Sequence, residues 1–187
     1  MTLEQIQQAL LRAAKGIAQY GELMQTFKNV DVSEDADFQR RYNAFYRVQR
    51  RTADWYRSYY TLMQNMKNMK NGSPVFSDVL DEINNQTSRY EPSFASKLVA
   101  TVDPSKPIWD VHILANTNHK APAYYSKNKF DLAKSAYASI EEWYAKFLNS
   151  TEGKLCVSEF DRNFPEYRWF TALKKVDFIL WQIRPND

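Results

Sequence analysis

Apolar residues return along this chain at steps of three and four, a spacing that predicts helices over most of its length. The first run, 3–28, puts Leu3, Ile6, Leu10, Ala13, Ile17, Tyr20 and Met24 on one helix face. Residues 31–37 are acidic and polar, and Ser33 with the acids that follow is expected to cap the next helix. From 38 to about 69 the helical pattern lasts long enough for one long helix or for two with a bend. Lys70-Asn71-Gly72-Ser73-Pro74 stops it with a C-cap glycine and a proline. Phe76, Val79, Leu80 and Ile83 mark a short helix, the polar run 84–92 interrupts, and 94–102 resumes a helical pattern. Asp103-Pro104-Ser105-Lys106-Pro107 breaks it again, each proline turning the residue before it away from helix. The apolar stretch 108–114 fits a strand or a buried helix equally well. A loop around Ala121-Pro122 and Tyr124-Tyr125 then leads into an amphipathic helix over 130–148. A shorter helix over 157–164 ends at Pro165, and a last helix over 174–183 turns Val176, Phe178, Ile179, Leu180 and Ile183 inward. No strand alternation or internal repeat intervenes, so an all-α fold of about six to ten helices is expected, as a single bilobal domain over 1–187.

Composition narrows this picture. Four glycines in 187 residues leave no glycine-rich phosphate loop, and 44% hydrophobic residues suffice for a core. With 25 Lys and Arg against 22 Asp and Glu, the net charge of +3 is too small to name a polyanionic partner by itself. Cys156 stands alone, so no intramolecular disulfide forms; that fits a reducing compartment, and a cytoplasmic location is expected. No apolar run is long enough to span a membrane, and the first residues lack the basic and apolar regions of a signal peptide. His112 and His119 have no Cys or acidic cluster beside them, so neither a metal site nor a cofactor is expected.

The distribution of charge says more than its sum. Between 40 and 60 the helical pattern alternates arginines with Tyr42, Phe45, Tyr46, Trp55 and Tyr59. Such a helix is either a solvated charged face backed by an aromatic core stripe, or the wall of a nucleic-acid pocket in which rings stack on a base and arginines such as Arg50 neutralise phosphates. Asp110, directly after the proline-rich loop, is similarly open: an N-cap, a functional carboxylate, or both.

The order of elements over 43–183 resembles the helix-hairpin-helix, endonuclease III-like superfamily of DNA glycosylases. The resemblance rests on a hairpin near 84–97, a proline-rich loop and helix over 103–118 containing Trp109-Asp110-Val111-His112-Ile113 with Asn116, and the closing Lys175-Val176-Asp177 to Trp181 helix. It implies base flipping and excision of a damaged or modified DNA base, with Asp110 as the catalytic carboxylate. Substrates range from the lesions of DNA repair to hypermodified phage bases, the latter implying phage defence. It further implies a base pocket drawn from Tyr42, Phe45, Tyr46, Trp55, Trp109 and His112. DNA contacts would come from Ser93, Ala95, Ser96, Lys97, Lys106 and Arg50, with Ser93, Ala95 and Ser96 standing where the family hairpin carries glycines. Lys97 lies where bifunctional members place their lysine nucleophile, but only thirteen residues before Asp110. That is shorter than the family spacing and favours a monofunctional hydrolase; a monomer is expected. The alternative class is a non-catalytic helical nucleic-acid-binding module.

Overall fold

The protein is described from a computed structural model, over residues 1–70 and 72–183. The described residues form nine α-helices, one 3-10 turn and no strand. In chain order the helices are α1 (Leu3–Asn29), α2 (Ala36–Tyr46), α3 (Ala53–Lys67), α4 (Phe76–Thr87), α5 (Pro92–Val102), α6 (Val111–Asn116), α7 (Lys129–Asn149), α8 (Thr151–Asn163) and α9 (Ala172–Gln182); the 3-10 turn is Pro165–Tyr167. The expected all-α class is therefore observed.

Local chemistry explains most boundaries. The helix expected over 38–69 is two helices, because Arg47 leaves α2 in the left-handed region (φ 54°, ψ 41°) and Thr52 starts α3 by accepting from Trp55 N. The cap of α2 is Asp35, which accepts from Phe38 N at 2.7 Å, whereas the Ser33 hydroxyl turns back to Asp31 at 2.6 Å. Ser33 is thus not the cap, since its short side chain is already committed within the preceding turn. Of the stop signal at 70–74, Asn71 lies outside the described residues. Gly72 adopts φ 84° but follows α3 by several residues, and the helix itself is closed at Asn68.

The chain forms two compact units, one of residues 16–103 and the other of 1–15 with the chain from 104 onward; the boundary falls within α1. In the 16–103 unit, Phe38, Tyr42 and Tyr46 follow one another at four-residue steps and all point inward, Phe38 and Tyr42 against rings of α3 and Tyr46 against Tyr42. Buried hydroxyls need partners, and a chain of hydrogen bonds supplies them. Tyr59 donates to Phe94 O at 2.9 Å, so it is Tyr42 that donates to Tyr59, at 2.8 Å. Tyr60 donates to Asn43 Oδ1 at 2.8 Å. Burial holds the Tyr42 and Tyr59 hydroxyls neutral, far above the ordinary phenol range.

In the other unit α9 is enclosed by α6, α7 and α8, and every residue from Leu173 to Leu180 is buried. Lys174, Lys175 and Asp177 are among them, which an amphipathic reading of that helix does not foresee. Their charges are matched internally. Lys174 Nζ donates to Asp177 Oδ2 at 2.9 Å, and Tyr144 donates to Asp177 Oδ1 at 2.9 Å. Lys175 Nζ lies 2.6 Å from Asp161 Oδ1 and donates to Arg168 O at 2.9 Å. Burial first, and then the Asp177 charge, push the Tyr144 hydroxyl well up.

Candidate active site

The proline-rich loop before Asp110 is fastened at successive points. Thr171 donates to Pro104 O at 2.5 Å, Tyr137 to Pro107 O at 2.8 Å, and Lys106 pairs with Glu141 at 2.8 Å. Trp109 then buries its ring. Asp110 follows in extended backbone (φ −133°, ψ 153°) and caps α6: its Oδ1 accepts from His112 N at 2.9 Å, while its carbonyl accepts from Leu114 N at 2.8 Å. The stretch 108–114 thus resolves into two residues without regular structure, a cap and the start of a helix. At the far end of α6, Asn116 Nδ2 donates to Leu180 O at 2.7 Å and Ile183 O at 3.1 Å, using the open carbonyls of α9 to fix one helix on the other. The half-buried Asp110 carboxylate therefore sits on a rigid frame with Oδ2 free of any hydrogen bond or ion pair to the described residues. It is also the only carboxylate between residues 104 and 130.

The residues singled out by sequence separate into two groups. Trp109, Asp110, His112 and Lys106 belong to the unit built around α9; the others belong to the 16–103 unit. Tyr42, Tyr46, Trp55 and Trp109 are buried, with 0%, 4%, 3% and 5% of their surface exposed, so their rings are spent on the core and present no open face for a flipped base. This corrects the expected base pocket. The i, i+4 spacing from Phe38 through Tyr42 to Tyr46, the signature of an inward face, was the signal for it. Phe45 is half-buried against Tyr20 and Tyr46, and the His112 ring is half-buried.

The expected hairpin contacts also change. Ser93, Ala95 and Ser96 lie within the first turns of α5 and not in a loop; Ala95 and Ser96 are wholly buried, and only Ser93 keeps surface. The loop between α4 and α5 is Ser88 to Glu91, with Ser88 in the left-handed region at φ 55°. Lys106 is not available for a phosphate while it pairs with Glu141. Lys97 donates to Tyr46 O at 3.0 Å and rests on the Phe94 ring at 5.2 Å, closing the carboxyl end of α2.

The basic run 40–57 is sorted by its partners. Arg40 and Arg41 pair with Asp37, Arg57 with Asp54, and Arg51 with Glu91 at 2.7 Å, its guanidinium stacked 4.9 Å from Phe94 and 5.6 Å from Trp55. Arg47 and Arg50 are exposed and their side chains have no partner among the described residues; both stand at positive φ, 54° and 58°. Such backbone costs an L-residue about 1–2 kcal/mol and persists only where the surroundings enforce it. At Arg50, Arg51 holds the turn by donating to Gln49 O and Arg50 O; at Arg47, the backbone N–H closes α2 on Asn43 O.

A cleft of about 390 Å³ opens beside the proline-rich loop, lined by Ser105, Lys106, Glu141, Tyr144 and Leu173 among others, but Asp110 is not part of its wall. No group of three or more His, Cys, Asp or Glu side chains is placed to hold a metal among the described residues, and no helix there is long and apolar enough to cross a membrane. Compared with models of protein families, with characterised proteins and with solved structures, the chain matches none.

Proposed function

We propose that this chain is a monofunctional, monomeric DNA N-glycosylase in which Asp110 is the catalytic carboxylate. The observation that carries the reading is the Asp110 side chain itself, with one oxygen pinned at a helix start, the other uncommitted, and no competing acid in the surrounding 104–130 segment. As the C1′–N bond breaks, the electron pair leaves with the base and positive charge builds on the deoxyribose. A fixed carboxylate stabilises that charge and orients a water, whose oxygen bonds to C1′ and whose proton is released, leaving an abasic site. In this reading α4, the Ser88–Glu91 turn and α5 form the hairpin that meets the DNA backbone, with half-buried Ser93 the one of the three expected small residues that keeps surface, and Arg47 and Arg50 supply phosphate contacts.

The test is incubation of the purified protein with DNAs carrying oxidised, alkylated, deaminated and hypermodified bases, followed by detection of abasic sites. Abasic sites are expected in one class, with a loss on the order of 10³-fold for Asp110→Asn, the scale of removing a main electrostatic contributor. Full activity in Asp110→Asn overturns the mechanism. Lys97→Gln is expected to retain excision within about threefold, as its ammonium closes α2; covalent trapping of wild type, but not of this variant, by borohydride would overturn that expectation. Salt-dependent DNA binding without abasic sites in any class would instead favour a non-catalytic DNA-binding module, the reading that the unpaired Arg47 and Arg50 also support.

A further inference from the structure

Most aromatic side chains of this protein are in its core or on its flank; among the described residues three are exposed, Tyr124, Tyr125 and Trp169. The two tyrosines are 73% and 91% exposed and stand side by side at the tip of a loop. Ser126 N donates to Ala123 O at 2.9 Å, which closes a four-residue turn with Tyr124 and Tyr125 at its two central positions. Turn tips ordinarily take Gly, Asn, Asp or Pro, and the turn itself calls for a bulky ring at neither central position. The turn is nonetheless fastened: Lys129 Nζ donates to Tyr124 O at 3.0 Å and sits 4.2 Å from the Tyr124 ring centre, and the Ser126 hydroxyl donates to Asn128 Oδ1 at 2.6 Å. Tyr125 makes no hydrogen bond or ring contact with the described residues. Along the sequence the charges nearest the turn are lysines, with Asp131 the first acid after it. From Val111 to Phe130 there is no carboxylate, while Lys120, Lys127 and Lys129 flank the rings.

Solvent-facing rings between lysines, held by a short turn in a segment without acids, match what a single nucleic-acid strand offers: base faces at regular intervals beside phosphates. We infer that the Tyr124-Tyr125 turn is a stacking platform for unpaired bases of a DNA strand, with Lys127 and Lys120 contacting its phosphates. The inference rests on the reading of this chain as a DNA-binding protein and deepens it. The ring contacts expected of the buried Tyr42, Tyr46 and Trp55 would come from here, from the unit that carries Asp110.

The test is fluorescence anisotropy with a labelled single-stranded oligodeoxynucleotide of mixed sequence, alone and annealed to its complement, over a range of salt. Tyr125→Ala is expected to weaken single-strand binding roughly 5- to 100-fold, the scale of one lost base–aromatic stack, and to affect the duplex less. Tyr125→Phe, which keeps the ring and loses the hydroxyl, is expected to bind as wild type, and Lys127→Gln to lower the salt slope by about 1. Thermal melts of all three variants should match wild type because the turn is exposed. Wild-type protein that binds neither form of DNA, or Tyr125→Ala binding that equals wild type, overturns the inference. Tyrosine-dependent binding without excision of any base upholds it and removes the glycosylase reading alone; excision with tyrosine-independent binding does the reverse.

Discussion

Asp177→Ala is expected to lose about 3–5 kcal/mol of folding stability, the cost of leaving a buried charge without its partner. The carboxylate is 9% exposed and the ammonium it serves, on Lys174, is 2% exposed, so water cannot take over the vacated role. The Tyr144 hydroxyl loses its acceptor at the same time. Replacing the whole group with apolar residues behaves differently. In Lys174→Met, Asp177→Leu and Tyr144→Phe combined, no polar atom of the triad remains to be desolvated, and most of the lost stability should return. Denaturant unfolding of the single and triple variants checks this; a triple variant at least as unstable as Asp177→Ala would mean that the charged group contributes net stability. The lone cysteine offers a second probe. Burial pushes the Cys156 thiol up to about 12, so the native protein holds almost no thiolate at neutral pH and its labelling reports opening of the fold.

Gly153→Ala should be comparably damaging, against the direction that helix propensity gives. In a helix interior alanine is favoured over glycine by about 1 kcal/mol. A methyl group on Gly153, however, would lie 2.0 Å from Phe147 O and 2.8 Å from Phe147 C, and backbone atoms cannot rotate out of its way. The ends of α7 and α8 would have to part, at about 3 kcal/mol or more, so packing outweighs propensity. The close approach follows from the connection. Ser150 alone ends α7 and begins α8, its hydroxyl donating to Phe147 O at 2.6 Å and accepting from Gly153 N at 3.0 Å. A Gly153→Ala protein as stable as wild type in thermal melting would show that this junction yields more easily than its geometry implies.

These cases show where the sequence was legible. Helices with one apolar stripe, such as α1 and α7, were readable to within a residue or two, because their periodicity is set by burial on a single face. The start of α8 was not: Thr151, Glu152, Gly153 and Lys154 carry no apolar stripe, and what makes them helical is the Ser150 cap and the glycine fit. The burial of the α9 charges was unreadable for the opposite reason: Lys174 and Asp177 pair within the helix, but Lys175 and the second oxygen of Asp177 find Asp161 and Tyr144 on other helices. At the candidate site, the capping role of Asp110 could be foreseen from its place after two prolines. The burial of Tyr42 was signalled by the i, i+4 spacing of Phe38, Tyr42 and Tyr46, whereas that of Trp55 required knowing which face of α3 turned inward. Paired and unpaired arginines are likewise indistinguishable until Glu91 and Asp37 have positions.

The division of the chain into units also bears on the order in which it takes shape during synthesis. Residues 16–103 are contiguous, so that unit has all its parts once they have emerged from the ribosome. The unit containing Asp110 draws on residues 1–15 as well as on the chain from 104 onward, and α9, which the other helices enclose, is the last of its helices to be made. Until α9 arrives, the faces of α6, α7 and α8 that cover it stay wet. Truncation before Ala172 should therefore spare the early unit and leave the Asp110 half without an interior, a nascent state for a chaperone to shield.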